Sequence, residues 1–374
     1  MTVGGSGEYK ELSADNAVVE VTSSPMEFND LSELPANHHT DHIVEVDWTS
    51  DAGWGVPSVH PWAPLKLDPT AAVFHYAVTC FEGMKAYKSH DGKSIRLFRP
   101  QCNMERLNNS AARLCLPQIN ADAAITLIEK LLQLDERFIA PGHYVYLRPT
   151  LMGTEASLGF KTPAQAKFLI MATLFPVMDN KTLKLWCSPP TAIRAWPGGF
   201  GHTKLGANYG PTLEANNECV RHGYNQVLWL LGDNGVVTEA GTSNFFVAWK
   251  NKQGRVEILT CPLTTGVILP GVTRRSVLEV LRQKFPADEV DVVEREFTIS
   301  EIEEAAAEDR LLEAFSCGTA YFVAPVDTIR TPSGNEIPVP TDSKYAASVK
   351  ESLANIMWGK IDHPWAHVVP PLQN

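Results

Sequence analysis

Residues 192–211 bring a single lysine, Lys204, into a run rich in glycine. Glycine reaches backbone conformations that other residues adopt only at a cost, so the run predicts a backbone that wraps closely around something. A lysine amine condenses with a carbonyl group when desolvation or another cation disfavours its ammonium form. Tyr209 adds a phenol close by in the sequence. From the run alone, Lys204 is either a solvated loop charge or an amine nucleophile.

Glu239 is a second candidate, because it lies in an apolar stretch that reads as a strand over residues 236–249, interrupted at Gly241. A buried carboxylate costs several kcal/mol unless it is paired. A nearby arginine or a backbone amide can pair it. A protonated pyridine nitrogen is the other possible partner, since an opposite charge favours the charged form and a protonated ring is the better electron sink. Both pairings stay open at this point.

A third group of candidates follows the two-residue period of a strand over residues 143–151. Tyr144, Tyr146 and Arg148 fall on one face of this strand. Such a face suits either a solvated sheet edge or the wall of a cavity that needs aromatic area and a fixed donor.

The glycine-rich run resembles a known lysine segment. Residues 198–211 read Gly-Gly-x-Gly-x-x-Lys-x-Gly-x-Asn-Tyr-Gly-Pro, with an Arg-Ala-Trp lead-in at Arg194, and are similar to branched-chain amino-acid aminotransferases, pyridoxal-phosphate enzymes of fold type IV. Other segments resemble the same family in the same order: His75–Tyr76, Phe81–Ala86, Arg96–Pro100, Asn103–Met104, Tyr146–Pro149, Leu228–Leu230, Thr238–Thr242, Gly266–Gly271 and Gly318–Ala320.

The resemblance implies pyridoxal 5′-phosphate as the cofactor, carried by Lys204 as a Schiff base. Tyr209 is expected at the cofactor's phenolate oxygen and Glu239 at its ring nitrogen. The remaining cofactor-binding residues that the resemblance implies, chiefly for the phosphate, are Arg106, Thr242, Val272, Thr273 and Thr319.

The resemblance also implies the reaction, which is transfer of an amino group between L-leucine, L-isoleucine or L-valine and 2-oxoglutarate, with ping-pong kinetics. Arg148 is expected to accept the second carboxylate of glutamate. The other substrate-binding residues that it implies are Tyr76, Phe81, Tyr146 and Ala320. The family's enzymes are homodimers, so a homodimer is expected here.

The predicted fold class is α/β, of the α+β two-domain kind, as fold type IV implies, with the cofactor in the cleft between the domains. A flexible lead-in is predicted over residues 1–40, a small domain over 41–176, a linker over 177–186 and a large domain over 187–374. Among the elements, Ala72–Phe81 and Ser316–Val326 are each predicted as one strand. A helix is predicted from Pro100, and Thr298 with Glu301 predicts a capping box at another.

Composition excludes several classes of function. The net charge of -11 disfavours nucleic acid and anionic membrane as partners, and no apolar run approaches the ~20 residues of a membrane span. The first thirty residues lack the pattern of a secretory or mitochondrial signal, which predicts a cytoplasmic protein. Seven widely spaced cysteines without a Cys-x-x-Cys pair predict reduced thiols.

The segment from His38 to His42 holds three histidines and Asp41, and metal ligands often lie this close. No second cluster completes a coordination shell, and residues 43–48 alternate like a strand. We therefore interpret the segment as the entry to a strand and predict no metal.

Three alternatives remain for the function. A specialised biosynthetic relative would act on another amino acid. A D-amino-acid aminotransferase or an aminodeoxychorismate lyase would share the fold, and comparing L-leucine with D-leucine as amino donors separates these. A degenerate copy that only binds a partner would stay colourless when pyridoxal phosphate is added.

Overall fold

The structure is a computed structural model that describes residues 10–175, 182–320, 322–342 and 344–372. The chain divides into two units. The first comprises Met1–Val177 and Ile356–Asn374, and the second comprises Met178–Asn355. Residues 177–181 of the predicted linker lie outside the described residues, whereas residues 183–186 belong to a strand of the second unit.

The described part of the first unit forms a ten-stranded sheet with the order β1-β4-β2-β9-β8-β6-β7-β19, in which β3 also pairs with β2 and β5 with β8. Its strands are β1 (Val18–Val19), β2 (His39–Thr49), β3 (Gly53–Trp54), β4 (Ser58–Pro61), β5 (Thr79–Phe81), β6 (Met84–Lys88), β7 (Ile95–Phe98), β8 (Tyr144–Gly153), β9 (Gln165–Leu174) and β19 (Ala366–Val368). Its helices are α1 (Ala72–Tyr76), α2 (Pro100–Arg113) and α3 (Ala121–Leu134).

Local sequence explains where these helices begin. Pro100 is the first residue of α2, where its missing N–H and fixed φ cost nothing. The Asn120 side chain caps α3 by accepting a hydrogen bond from the N–H of Ala123. The predicted strand at residues 143–151 is present as β8, which lies between β6 and β9 near the middle of the sheet.

The described part of the second unit forms a nine-stranded sheet with the order β12-β11-β10-β17-β16-β13-β14-β15, in which β12 also pairs with β13 and β18 with β17. Its strands are β10 (Leu183–Cys187), β11 (Gln226–Leu231), β12 (Val236–Ala240), β13 (Ser243–Lys250), β14 (Val256–Thr260), β15 (Val290–Glu294), β16 (Leu311–Gly318), β17 (Phe322–Arg330) and β18 (Glu336–Pro338). The helices that begin in this unit are α4 (Leu213–Arg221), α5 (Val272–Lys284), α6 (Ile299–Ala307) and α7 (Lys344–Met357).

The core of the second unit is built on β13. Seven of its eight residues are buried, and Phe245 and Val247 pack in one cluster with Phe297 and Ile302. The capping box is confirmed, because the Thr298 hydroxyl accepts from the N–H of Glu301 while the Glu301 carboxylate accepts from the N–H of Thr298.

The prediction of one strand over Ala72–Phe81 is wrong, because α1 occupies the first half and β5 only the last three residues. The Asp68 carboxylate accepts from the N–H and hydroxyl of Thr70 and so bends the chain just before α1. Ala77, at φ 49°, then ends the helix in the left-handed region. Local side-chain hydrogen bonds of this kind outcompete a strand ladder.

The prediction of one strand over Ser316–Val326 is also wrong. β16 ends at Gly318 and β17 runs back from Phe322, antiparallel to it. A turn therefore carries Thr319 and Ala320 at the end of the sheet.

At both ends of the chain, the limits of the two units differ from the predicted domain limits. Within the predicted flexible lead-in, Leu12 is buried and β1 pairs in parallel with β4. At the other end, β19 pairs with β7, and the Trp358 ring packs edge-on against Tyr87 at 5.0 Å. Residues 356–374 thus belong to the first unit, since their ladder and aromatic contacts are made there.

The histidine-rich segment enters β2, in agreement with its interpretation as a strand entry. His42 Nδ1 lies 2.6 Å from Asp135 Oδ1, and its Nε2 accepts from the N–H of Thr22 at 3.0 Å. The His39 ring stacks on Trp62 at 4.1 Å. All seven cysteines are free thiols. Among the described residues, helices long and apolar enough to cross a bilayer are absent.

Candidate functional site

Lys204 lies in a turn just before a short 3-10 helix, Gly206–Asn208. Its Nζ donates to the phenol oxygen of Tyr209 at 3.1 Å, so the two groups that the sequence brought close also meet in space. The turn is fixed from inside, because the buried Asn208 amide donates to the carbonyls of Thr203 and Phe200 at 2.8 Å and 3.2 Å. Lys204 is half-buried and is part of an ordered turn.

Glycine is required where this turn meets the rest of the second unit. A Cβ on Gly201 would lie 2.3 Å from the Ala195 side chain and 2.7 Å from the Val267 carbonyl oxygen. Because these distances are well inside van der Waals contact, only glycine lets the lysine turn pack against the loop that precedes α5.

Glu239 is 2% exposed and pairs with an arginine and a backbone amide of its own chain. Arg194 Nη2 lies 2.8 Å from Oε2, while Oε1 accepts from Asn244 Nδ2 at 2.9 Å and from the N–H of Leu269 at 3.2 Å. These are the partners that the first interpretation anticipated. They offset the cost of burying the charge and fix the orientation of the carboxylate.

Arg194 is a site residue to which the sequence assigned no role. Its Nη1 donates to the Val267 carbonyl at 3.1 Å while Nη2 pairs with Glu239, so it ties β12 to the loop before α5. The Arg-Ala-Trp lead-in to the lysine segment marked Arg194 as a candidate, but its pairing with Glu239 depends on the tertiary structure. Asn244 was missed because its contact with Glu239 also depends on the tertiary structure.

Thr242 and Thr319 come together at one end of the second sheet. Asn244 pairs with Cys317 in the antiparallel ladder of β13 and β16. The turn before β13, with Thr242, and the turn after β16, with Thr319 and Ala320, therefore lie at the same end. The two threonines add hydroxyl groups to this end of the sheet.

The N-terminus of α5 lies at the same end of the sheet, because Leu269 and Gly271, just before the helix, pack against Asn244. Asn244 Nδ2 donates to the Leu269 carbonyl at 2.9 Å, and a Cβ on Gly271 would lie only 2.1 Å from Asn244 Oδ1. Val272 and Thr273 are the first helical residues, and amides in this position lack partners within the helix. They bind anions readily, because the helix dipole is positive there.

Arg106, in the first unit, is only 7% exposed. It is therefore not a solvated surface charge, which is the usual state of an arginine on a helix. Its Nε and Nη2 each lie 2.7 Å from an oxygen of the fully buried Glu82, and Asn103 Nδ2 donates to the same carboxylate at 2.8 Å. Sequence analysis missed Glu82 as the partner of Arg106, although a glutamate within an apolar motif was a usable signal.

Tyr146 and Arg148 meet on the face of β8, as alternation predicted. Arg148 Nη2 donates to the Tyr146 hydroxyl at 3.1 Å, and the guanidinium lies 4.5 Å from the centre of the Phe81 ring. Arg148 Nε is buried without a hydrogen-bond partner among the described residues. The three predicted substrate residues Phe81, Tyr146 and Arg148 thus form one cluster.

Tyr76 lies on α1 and not on the predicted strand, with 36% of its surface exposed. Its hydroxyl donates to the Leu158 carbonyl, and its ring packs edge-on against Phe160 at 5.6 Å. These two contacts are with the segment that contains Leu158 and Phe160, and neither is with Tyr146 or Arg148.

The second unit fits the cofactor that the resemblance implied. Lys204 offers an amine for an aldehyde, Tyr209 offers a phenol, and the buried Glu239 offers a negative charge for a ring nitrogen. The N-terminus of α5 and the threonine turns offer donors for a phosphate. An amine, a phenol, a buried carboxylate and a helix N-terminus are groups that a pyridoxal-phosphate site requires, and the second unit contains all four.

Comparison with known proteins agrees with the family that the sequence resembles. Residues 79–329 match the family model described as amino-transferase class IV. Relatives include the branched-chain-amino-acid aminotransferase of Dictyostelium discoideum, 41% identical over 370 residues that cover 96% of each chain. The cytosolic branched-chain-amino-acid aminotransferase of Saccharomyces cerevisiae is 42% identical over 345 residues, which cover 89% of this chain and 91% of the yeast protein.

The chain therefore belongs to the class IV aminotransferases, and within them to the branched-chain-amino-acid aminotransferases, which are transferases. A solved structure of the enzyme from Thermobaculum terrenum, in its pyridoxal-phosphate holo-form, matches with a TM-score of 0.71 at 18% identity. The match covers 89% of this chain and 99% of that one, and it confirms fold type IV.

Proposed function

We propose that this protein transfers an amino group between branched-chain L-amino acids and 2-oxoglutarate, with pyridoxal 5′-phosphate as its cofactor. The observation that carries the proposal is the contact of Lys204 Nζ with the Tyr209 phenol in a glycine-rich turn, in the same unit as the buried Glu239. The names of the Dictyostelium and yeast relatives support the choice of substrate.

Bound pyridoxal phosphate supplies an aldehyde that condenses with amines and a ring that stabilises negative charge at the carbon next to the amino group. Lys204 would hold the cofactor by condensing with its aldehyde through Nζ. Once released by the substrate's amine, the same Nζ would serve as the base that takes up the proton from the substrate Cα and later gives it back.

Glu239 would keep the ring nitrogen protonated, because a carboxylate beside it favours the charged form. Arg194, Asn244 and the Leu269 amide hold that carboxylate in a fixed orientation. Tyr209 would hydrogen-bond the phenolate oxygen. For the phosphate we propose Val272, Thr273, Thr242 and Thr319, and from the family resemblance Arg106 as a further ligand.

Phe81, Tyr146 and Arg148 form a wall that suits both substrates in turn. The rings present apolar area to a branched side chain, and the guanidinium meets the second carboxylate of glutamate, whose desolvation would otherwise cost several kcal/mol. The buried Nε of Arg148 is a donor available for this carboxylate. Tyr76 and Ala320 are proposed as additional substrate contacts from the family resemblance.

The proposal is tested first on Lys204. Lys204→Ala removes the amine, so we expect loss of the visible absorbance of bound cofactor and a fall in turnover of at least about three orders of magnitude. Lys184→Ala, at an exposed lysine of β10, is the matched control and keeps both. Turnover of Lys204→Ala near that of the unaltered protein contradicts the assignment.

The dual specificity is tested on Arg148. In Arg148→Met, single-turnover half-reactions followed by cofactor absorbance should show the apparent affinity for glutamate reduced about tenfold or more, and that for leucine within about threefold. Arg113→Met, at an exposed arginine of α2, serves as the control. An equal loss for both substrates means that Arg148 supports the fold or the cofactor.

We further propose a homodimer and a cytosolic location. The dimer is inferred from the family resemblance, and the compartment from the name of the yeast relative. Light scattering after size-exclusion chromatography tests the first proposal, for which a monomeric mass is contrary evidence. Fluorescence microscopy of a carboxyl-terminally tagged chain in its native cells tests the second, and mitochondrial signal contradicts it.

A further inference from the structure

Residues 28–36, which we call the strap, run between two anchors on the first unit. The first anchor lies just before the strap, where the N–H of Met26 donates to Asp41 Oδ1 at 3.0 Å. The carbonyl of Met26 accepts from Arg137 Nη2 at 2.7 Å, and the guanidinium of Arg137 lies 4.7 Å from the centre of the Phe28 ring. These contacts fix the start of the strap in position.

The second anchor lies just after the strap. The N–H of Asn37 donates to the carbonyl of Leu174 at 2.7 Å, and the N–H of Leu174 donates to the carbonyl of the residue after Asn37 at 2.8 Å. Between the anchors, the Asp30 carboxylate accepts from the N–H and the hydroxyl of Ser32 and so caps the short 3-10 helix Leu31–Glu33. The strap is therefore held at both ends and capped between them, which gives it a defined shape.

A cavity of about 480 Å³ lies between the strap and the sheet of the first unit. Sites that bind small molecules have volumes of about 300–1,000 Å³. The cavity is lined by the aromatic rings of Phe28, Phe138, Tyr144 and Phe175, and the first two of these rings lie 5.2 Å apart. Apolar cavities take up small aromatic molecules, and ring pairs add edge-to-face and offset-stacked contacts. The lining therefore favours an aromatic ligand.

The charged groups of the lining favour a ligand without charge. Arg137 is paired with the Asp41 carboxylate at 2.6 Å. The Asp30 carboxylate is exposed to water and accepts two hydrogen bonds within the strap. A charged ligand would lose water without gaining an opposite charge, which is costly. Asn29 and His143 add hydrogen-bonding groups to the lining.

We propose that this cavity binds an uncharged aromatic molecule, about the size of two fused rings, that carries one hydrogen-bonding group. The rings of the ligand lie among the aromatic side chains of the lining, and its polar group faces Asn29 and His143. None of the residues proposed for the cofactor or for the substrates is among the described residues that line the cavity. The inference therefore stands independently of the proposed function.

The test titrates the holoenzyme at neutral pH with 2-naphthol, in which two fused aromatic rings carry one hydroxyl group. We expect isothermal titration calorimetry to show saturable binding at one site per chain. Two analogues separate the effects of aromaticity and charge, since decahydro-2-naphthol has saturated rings and 2-naphthoate carries a carboxylate. Each analogue should bind at least about fivefold more weakly than 2-naphthol. An analogue that binds as tightly as 2-naphthol overturns the proposed class of ligand.

Two variants fill the cavity from different segments. Ala36 and Ala140 both line it, so Ala36→Phe and Ala140→Phe each place a ring in it and should weaken the binding of 2-naphthol at least about tenfold. Ala36 is exposed, so Ala36→Phe keeps the comparison if Ala140→Phe fails to fold. Ala112→Phe, at an exposed alanine of α2 outside the described lining, is the matched control and should leave the affinity unchanged.

Amide hydrogen exchange locates the bound ligand independently of its affinity. Occupancy of the cavity disfavours local opening of the strap, so 2-naphthol should slow exchange in peptides that cover residues 28–36. The ligand should add no such protection in Ala140→Phe. The proposal is overturned by an absence of saturable binding, by an unprotected strap, or by equal affinities in the two cavity-filling variants and the control.

Discussion

At the scale of single residues, the main feature of the candidate site is a set of buried charges with the groups that hydrogen-bond or pair with them. Glu82 and Glu239 are two buried carboxylates, and each lies against an arginine and an asparagine. A buried ion pair of this kind contributes little net stability, but removing one partner is costly. Removal of either carboxylate would therefore leave a largely buried arginine without its carboxylate partner.

Glu239→Gln should keep the cofactor bound and slow the reaction by about two or more orders of magnitude, since a neutral amide does not keep a ring nitrogen protonated. Single-turnover rates with leucine measure this, with cofactor absorbance as the readout of binding. Glu214→Gln, at an exposed glutamate of α4, is the control and should keep the rate of the unaltered protein. Full activity in Glu239→Gln places the ring partner elsewhere.

Gly271→Ala tests the hydrogen-bonded support around Glu239. The new Cβ would lie 2.1 Å from Asn244 Oδ1, so Asn244 must move and lose its bonds to Glu239 and Leu269. We expect the free energy of unfolding to fall by about 1–3 kcal/mol in urea titrations. Gly210→Ala is the control, because a Cβ there meets open space. A Gly271→Ala protein as stable as the control contradicts this account.

At the scale of elements, local signals located helix ends correctly, whereas apolar composition alone misassigned two segments as single strands. The proline of α2 and the capping box of α6 mark those helices in the sequence. Ala72–Phe81 looks like a strand by composition, yet the side chain of Asp68 and the left-handed Ala77 make half of it helical. The turn with Thr319 was hidden within a mostly apolar segment, and only the antiparallel pairing of β16 with β17 reveals it.

Thr298→Ala should lower the free energy of unfolding by about 1 kcal/mol, because it removes the side-chain acceptor for the Glu301 amide at the start of α6. Thermal and urea unfolding measure the change. Ser300→Ala, at an exposed position in the same helix, should stay within about 0.5 kcal/mol of the unaltered protein. Equal stability of the two variants would show that the cap contributes nothing.

At the scale of the whole molecule, the last residues of the chain return to the first unit. β19 extends the first sheet beside β7, and Trp365 packs on Phe98 at 6.0 Å and under the Arg99 guanidinium at 4.4 Å. The carboxyl-terminal segment is thus part of the first unit's structure, although it follows the second unit in sequence.

Trp358→Ala should therefore destabilise the first unit, because the ring packs against Tyr87 and Tyr144. Because Trp358 is half-buried, we expect the free energy of unfolding to fall by about 2 kcal/mol, which is less than for a fully buried tryptophan. Leu372→Ala, at a residue that is 58% exposed, is the control and should change the free energy of unfolding little. Urea unfolding followed by circular dichroism distinguishes them, and identical midpoints contradict the role of Trp358.

The sequence by itself identified the groups to which our proposal assigns the chemistry. Lys204, Tyr209 and Glu239 could be named because a glycine-rich turn and a carboxylate in an apolar strand are local patterns, and the resemblance to the family extended over most of the chain. The strand period likewise placed Tyr146 and Arg148 on one face. These conclusions depend on spacing along the backbone, which the sequence contains.

Only the tertiary structure decided what each charge meets. Arg194 with Glu239 and Arg106 with Glu82 are pairs between distant segments, as is the cross-strand placement of Lys85 beside Tyr146. The return of the chain's end to β7 is of the same kind. Such pairings depend on sheet register and on how segments far apart in the chain pack together, and local hydrophobic periodicity constrains neither.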